Sequence, residues 1–208
     1  MNLDQIDKAV IAIREGRPVV FPTETFFALG CDACNASAVR EVVRLKQRGP
    51  GKPLPVVIGD LEQLYLVMAD TARCEQDILP LAALFWPGPL SVLVPAAPEL
   101  SSRVVDSAGC VAVRLTPHEA ARRLCLQAAT ALVATSANLS GDPPPSAPGD
   151  IDTRLLDAAG AAILSPPWPA GGAPSTIVSF VGQGRLRLIR EGAIAREELE
   201  RAGYELAR

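Results

Sequence analysis

The stretch PTETFFALGCDA, Pro22–Ala33, follows the apolar run PVVF, Pro18–Phe21, and the reading of this junction decides the fold. PVVF reads as a buried strand. A loop that only reverses the chain is usually rich in Gly, Asn and Asp. Here two hydroxyls, Thr23 and Thr25, flank Glu24 at the end of a core strand, and the chain then turns apolar again. Such a set either caps the local backbone or holds a ligand.

Working outward, short apolar runs alternate with helical patterns. The runs are Val19–Phe21, Leu54–Ile58, Ser91–Pro95, Cys110–Leu115, Ala131–Ala134, Ala161–Leu164, Thr176–Val181 and Leu186–Ile189. Helices are expected at Leu3–Arg14, Ala36–Gln47, Leu61–Met68, Ala72–Phe85, Pro117–Ala128 and Ala195–Ala202. Val39, Val42, Val43 and Leu45 fall roughly on one helical face. Glu119 and Glu197 stand early in their helices, where the dipole favours a negative charge. The alternation predicts an α/β fold with a twisted, mixed sheet of parallel and antiparallel strands and flanking helices. GDPPPSAPGD (Gly141–Asp150) and SPPWPAGGAPS (Ser165–Ser175) read as loops, because proline cannot serve an inner strand. Neither marks a change of composition, so the 208 residues read as one domain.

The composition, 49% apolar and 21% charged, is that of an ordinary globular protein. No apolar run approaches the roughly 20 residues that span a bilayer. The first residues read as an amphipathic helix and not as a signal peptide, so no membrane association and a cytoplasmic location are expected. A net charge of −3 says little about a local anion site. Five cysteines in a reducing compartment argue against a disulfide framework. Cys31 and Cys34 have C-x-x-C spacing without a second ligand pair, and read as two structural thiols.

Two constellations carry chemistry. In KQRGPGKPLPVV, Lys46–Val57, the helix cannot continue through Gly49-Pro50-Gly51. Lys46 and Arg48 can therefore converge past its end, or else complement the helix C-terminus. It is no phosphate-binding P-loop, since Pro53 stands where a hydroxyl is needed. In ALVATSANLSG, Ala131–Gly141, a buried strand ends in Thr135, Ser136, Asn138 and Ser140, where α/β sheets commonly bind ligands. Arg114 lies in an otherwise apolar strand and needs an anion or an ion pair. Ser175 and Thr176 open another strand, and Arg190 ends one beside Glu191, a candidate structural partner. The single histidine, His118, makes a Ser-His-Asp site improbable. WPGPL, Trp86–Leu90, reads as a rigid turn with a packed indole.

Together these motifs resemble the YrdC/TsaC-type threonylcarbamoyl-AMP synthase family. They run in order over about Val19 to Ile194: PTETFFALGCDA, K-x-R followed by KPL, WPGPL, VAVRL, S-x-N within TSANLSG, PSTIV and REGAI. The resemblance implies one YrdC-like domain over residues 1–208, with helices and sheet around a concave, positively charged cavity. It implies a nucleotidyltransferase that makes threonylcarbamoyl-AMP and pyrophosphate from L-threonine, bicarbonate and ATP, with Mg²⁺. The product serves N6-threonylcarbamoylation of tRNA adenosine 37, completed by a separate transfer enzyme, and direct tRNA contact enters as a further partner. Carried over by motif, Thr23, Thr25, Arg114, Ser175 and the Ala134 backbone hold the threonine. Lys46, Arg48, Ser136, Asn138, Ser146 and Arg190 hold the nucleotide, with Lys46 and Arg48 in the catalytic role. Phe27-Ala28 replaces the family's usual Tyr-Gly, and Val57 stands where many members have histidine; both bear on threonine preference. The competing readings are an RNA-binding protein without catalysis and a paralogue with other carbamoyl-adenylate chemistry.

Overall fold

The computed structural model describes residues 2–49, 51–69, 74–182 and 184–207. Side chains set the helix starts. Asn2 accepts from the Asp4 amide ahead of α1 (Leu3–Arg14), and Asn35 accepts from the Ser37 and Ala38 amides ahead of α2 (Ala36–Leu45). The remaining helices are α3 (Leu79–Phe85), α4 (Glu119–Ala128), α5 (Thr153–Ala158) and α6 (Arg196–Arg201). The expected Leu61–Met68 helix is a 3₁₀ segment over Glu62–Leu66, and α3 is preceded by a π-turn, Cys74–Ile78. The start of the expected Ala72–Phe85 helix, and Pro50 of the Gly-Pro-Gly stop, lie outside the described residues.

The apolar runs form strands in two sheets, where the sequence suggested one. β1 (Val19–Pro22) and β2 (Phe27–Gly30) are antiparallel, with Val19 opposite Gly30 and Pro22 opposite Phe27. Thr23–Phe26 is therefore a four-residue hairpin loop. β7 (Thr135–Ser136) flanks β2 and β8 (Ala161–Ala162) flanks β1, giving the order β7-β2-β1-β8. The larger sheet has the order β11-β10-β9-β4-β5-β3-β6. Its strands are β3 (Val56–Ile58), β4 (Leu90–Pro95), β5 (Cys110–Leu115), β6 (Leu132–Val133), β9 (Thr176–Gly182), β10 (Arg185–Arg190) and β11 (Glu205–Ala207). Parallel pairs (β3 with β5, β4 with β9, β10 with β11) mix with antiparallel ones (β4 with β5, β9 with β10).

The run Ala131–Ala134 does more than one strand's work. β6 pairs with the large sheet and β7 with the small one, so the chain changes sheets at Ala134. Gly30 permits this crossing, because a Cβ there would lie 1.8 Å from the Val133 carbonyl oxygen. α1 and α4 then cover both sheets: Ile6, Val10 and Ile13 pack with Leu124, Phe21, Val57 and Leu132 in one apolar cluster. A second, larger cluster holds β4, β5 and β9 against the α2 and α3 side. Trp86 is packed as expected, its indole N–H donating to the Leu90 carbonyl at 2.6 Å. Among the described residues no helix is long and apolar enough to cross a membrane.

Candidate active site

The two-sheet arrangement leaves a concavity at one end. The β1–β2 loop and β7 come from the small sheet; the end of β5, the start of β9 and the end of β10 come from the large one. They enclose a cavity of about 250 Å³ lined by Thr23, Thr25, Phe27, Ala28, Arg48, Arg114, Ala134, Ser136, Asn138, Ser175 and Arg190, among others. Nine of the eleven predicted site residues line this space; Lys46 and Ser146 do not.

The hairpin loop caps its own backbone and also lines the cavity. Thr23 Oγ1 donates to the Phe26 carbonyl at 2.8 Å, so its proton serves the turn. Thr25 Oγ1 lies 3.3 Å from Thr23 Oγ1 and also lines the cavity. Glu24, between them, points the other way. Its Oε1 accepts from Arg114 Nε at 2.7 Å and its Oε2 from Thr116 Oγ1 at 2.8 Å. Burial alone would raise the Glu24 carboxyl pKa. The Arg114 charge, its own backbone amide and the Thr116 hydroxyl outweigh that and hold it below the usual glutamate value. The anion that Arg114 needs is thus supplied within the chain.

At the other strand ends, Arg190 donates through Nε and Nη2 to the Ser175 carbonyl at 3.2 and 2.7 Å, and through Nη2 to Ser175 Oγ at 3.1 Å. It does not pair with Glu191, which accepts from the Arg196 amide. Buried Ser91 also donates to Ser175 Oγ, at 3.1 Å. Ser175 Oγ thus accepts from two donors and lines the cavity. Gly192 makes room for this knot: a Cβ there would meet the Pro174 carbonyl oxygen at 2.1 Å. Ala134 spends its N–H on the Pro55 carbonyl at 2.9 Å, which leaves its carbonyl as the group a ligand can use.

Lys46 and Arg48 take different places relative to the cavity. α2 stops at Leu45, and Gln47 takes a left-handed φ of +50°. Arg48 lines the cavity, donating to the Lys52 and Pro53 carbonyls at 2.9 and 3.1 Å. Lys46 lies behind the wall, 2% exposed. Its ammonium donates to the carbonyls of Ser136 and Asn138 and, at 3.3 Å, to Asn138 Oδ1. A buried ammonium requires acceptors, and the S-x-N turn is where it finds them. Neither cation takes the helix-end role, since Lys46 bonds across to the turn. Burial, then the Arg48 charge, pull the Lys46 pKa down to about 8, against an upward pull from Asp142. Asn138 donates through its amide to the Leu139 and Asp142 carbonyls at 2.8 and 2.6 Å, so it shapes the turn, and Ser136 beside it lines the cavity.

Desolvation, then the charges of Arg114 and Arg48, also lower the Arg190 pKa; Arg48 is lowered by burial and by Arg103. The cations are held close enough to repel one another. Ser146 packs beside Gly171, where an added Cβ would come within 3.3 Å of its Cβ. Both Pro-rich loops are tied to the hairpin. The Phe27 amide donates to Pro145 at 2.9 Å, the Gly171 amide to Thr25 at 2.9 Å, and the Ala170 amide to Glu24 at 3.3 Å. His118 Nε2 donates to the Pro167 carbonyl at 3.0 Å, so this histidine fastens a loop. Val57 is wholly buried in the apolar cluster opposite Arg114 in register, while Phe27 and Ala28 reach the cavity. Burial, then the Asp32 charge, push the Cys31 and Cys34 thiols up.

Sequence reasoning missed Glu24, Thr116, Ser91 and Asp142. The first was visible as a carboxylate between two threonines, but its partner Arg114 is 90 positions away. Among the cavity-lining residues Asp142 is the one carboxylate. Among the described residues no group of three or more His, Cys, Asp or Glu stands together to hold a metal.

Known proteins resemble this chain in sequence and in fold. The Sua5/YciO/YrdC family model, described as "Telomere recombination", matches residues 11–192. A threonylcarbamoyl-AMP synthase of Bacillus subtilis is 34% identical over 200 residues, covering 96% of this chain and 56% of its own length. One from Idiomarina loihiensis is 35% identical over 155 residues, covering 74% of this chain and 82% of its own. The crystal structure of P. abyssi Sua5 complexed with L-threonine superposes with a TM-score of 0.87 at 29% identity, over all of this chain and 60% of that one. The chain thus spans little more than half of the first of these relatives.

Proposed function

The chain belongs to the Sua5/YciO/YrdC family, and from that premise we propose that it is an L-threonylcarbamoyladenylate synthase. The observation that carries the reading is the gathering of Arg48, Arg114 and Arg190 with Thr25, Ser136 and Ser175 around one cavity. Bicarbonate and the threonine amine condense to a carbamate with loss of water. A carbamate oxygen then attacks the α-phosphorus of ATP; the new P–O bond forms as the bond to the bridging oxygen breaks, and pyrophosphate leaves. Negative charge grows on the leaving group, where fixed cations and hydroxyl donors lower the barrier without a protein nucleophile.

Arg114 receives the threonine carboxylate, with Thr23, Thr25, Ser175 and the Ala134 carbonyl around the amino acid. Arg48, Ser136, Asn138 and Arg190 face the triphosphate and adenylate. Lys46 acts by holding the S-x-N turn, and Ser146 by setting the loop beside it. Mg²⁺ enters as part of the Mg·ATP substrate, coordinated mainly by phosphates and waters, which suits a cavity with a single carboxylate. The product goes to a threonylcarbamoyl-transfer enzyme acting on tRNA adenosine 37, which places the protein in the cytoplasm; direct tRNA contact belongs to the same reading.

Purified protein incubated with ATP, Mg²⁺, bicarbonate and L-threonine should give threonylcarbamoyl-AMP and pyrophosphate by mass spectrometry, only when all four are present. No product from folded protein, beside an active control enzyme, overturns the reading. RNA affinity with steep salt dependence and no turnover would instead establish the non-catalytic alternative.

A further inference from the structure

The buried ion pair beneath the cavity points to a residue with a task of its own. Arg114 and Glu24 side chains are only 5% and 11% exposed. Glu24 Oε1 holds Arg114 by Nε, and Thr116 holds Glu24 Oε2. Main-chain bonds fix the same segment, because the Ala170 amide reaches the Glu24 carbonyl and the Gly171 amide the Thr25 carbonyl. A guanidinium offers an anion either its Nε side or the fork of its two terminal nitrogens. Here the Nε nitrogen is taken, and the terminal nitrogens have no hydrogen bond among the described residues. Arg114 lines the cavity, whereas Glu24 does not.

We propose that Glu24 is a positioning residue: it clamps Arg114 by Nε so that the terminal fork is presented to the α-carboxylate of the amino-acid substrate. The inference rests on the reading of the site given above. Glu24 touches no substrate and acts only through Arg114. Its charge also offsets part of the arginine's. The alternation Thr23-Glu24-Thr25 follows from this: hydroxyls face the cavity, and the carboxylate turns to the opposite side, toward β5.

The test measures KM for L-threonine and for ATP in the wild type, Glu24→Gln, Glu24→Asp, Glu24→Ala, Arg114→Ala and the double Glu24→Ala/Arg114→Ala variant. Glu24→Ala should raise the threonine KM by at least about tenfold and leave the ATP KM within about twofold. Glu24→Gln keeps an acceptor at the same reach, so its threonine KM should stay within about threefold of wild type. Glu24→Asp is one methylene short and should behave as the alanine variant. The double variant should lose no more than Arg114→Ala alone, since the two residues act as one unit. Equal shifts in both KM values, an additive double variant, or an unchanged threonine KM in Glu24→Ala each overturn the proposal. Should Glu24→Ala fail to fold, Gln and Asp decide, and equal threonine KM values for those two overturn it. A wild type that makes no threonylcarbamoyl-AMP refutes the proposed reaction, and L-threonine affinity by calorimetry on the same variants then replaces KM. The same order of affinities supports the clamp; no dependence on residue 24, or no threonine binding at all, overturns it.

Discussion

Replacing Lys46 with methionine removes a titrating group while keeping the length of the side chain, and the effect on stability depends on pH in a calculable way. Lys46 is 2% exposed, and burial, then the Arg48 charge, lower its pKa from 10.5 to about 8. The unfolded chain keeps its proton up to pH 10.5, the folded chain only to about 8. Between those values unfolding takes up a proton, so the wild type grows more stable as pH rises through the window. At about 1.4 kcal/mol per pKa unit the whole shift amounts to about 3 kcal/mol. The methionine variant has nothing to titrate at this position. The wild-type minus variant difference in unfolding free energy should therefore increase by about 3 kcal/mol between pH 7 and pH 10.5, or by roughly 6–12 °C in Tm for a chain of this size. Urea and thermal unfolding of both proteins at several pH values measure it, and titration of groups not coupled to Lys46 cancels in the difference. Parallel curves through the window would refute the reasoning, since Lys46 would then titrate as an exposed lysine and could not be the buried support of the S-x-N turn.

Arg48→Ala should lower ATP-dependent turnover by at least about tenfold, equivalent to about 1.4 kcal/mol of transition-state stabilisation, and unchanged kinetics would remove it from the phosphate end. Arg114→Ala should raise the threonine KM while sparing that of ATP. It should also destabilise the fold by about 3 kcal/mol, because it leaves the Glu24 carboxylate buried and unpaired; a wild-type melting curve would show that water reaches Glu24. Gly192→Ala puts a Cβ 2.1 Å from the Pro174 carbonyl oxygen and 2.8 Å from the Ser175 carbonyl carbon. It should lower both Tm and turnover by displacing Ser175 and Arg190, and wild-type values for both would show that the Pro174–Ser175 segment yields freely.

The fold was legible where one face of an element is apolar. α1 and β5 have the bounds that their sequence patterns give, and β4, β9 and β10 agree to within a residue. β2 was not expected as a strand, because FALG reads as the tail of a loop; it pairs only because the hairpin returns it to β1. β7 is two residues long and is held by its place beside β2, which no local pattern reveals. Two sheets in place of one follow from a close approach at Gly30, a contact between residues about 100 positions apart. The site residues were legible as residue types at strand ends. Which of them would touch a ligand was not, because that depends on partners. Lys46 is drawn back by carbonyls at 136 and 138, and Arg114 is engaged by a carboxylate at 24.

Those partners divide the cavity by charge. Arg48 and Arg190 are anchored on main-chain carbonyls, of Lys52, Pro53 and Ser175. A carbonyl is a dipole and orients a guanidinium without cancelling its charge. Arg114 is anchored on a carboxylate, which does cancel much of it. Burial first, and then the charges of Arg114 and Arg48, lower the Arg190 pKa, so the grouping of cations carries some mutual repulsion. Under the proposed reaction, a polyphosphate entering at Arg48 and Arg190 would relieve that repulsion, and the relief would increase as charge accumulates on departing pyrophosphate. On the same reading, a single substrate carboxylate at Arg114 would gain less. Under the proposed reaction, the same three arginines thus serve two unlike anions, and what separates their duties is whether each is held by a dipole or by a charge.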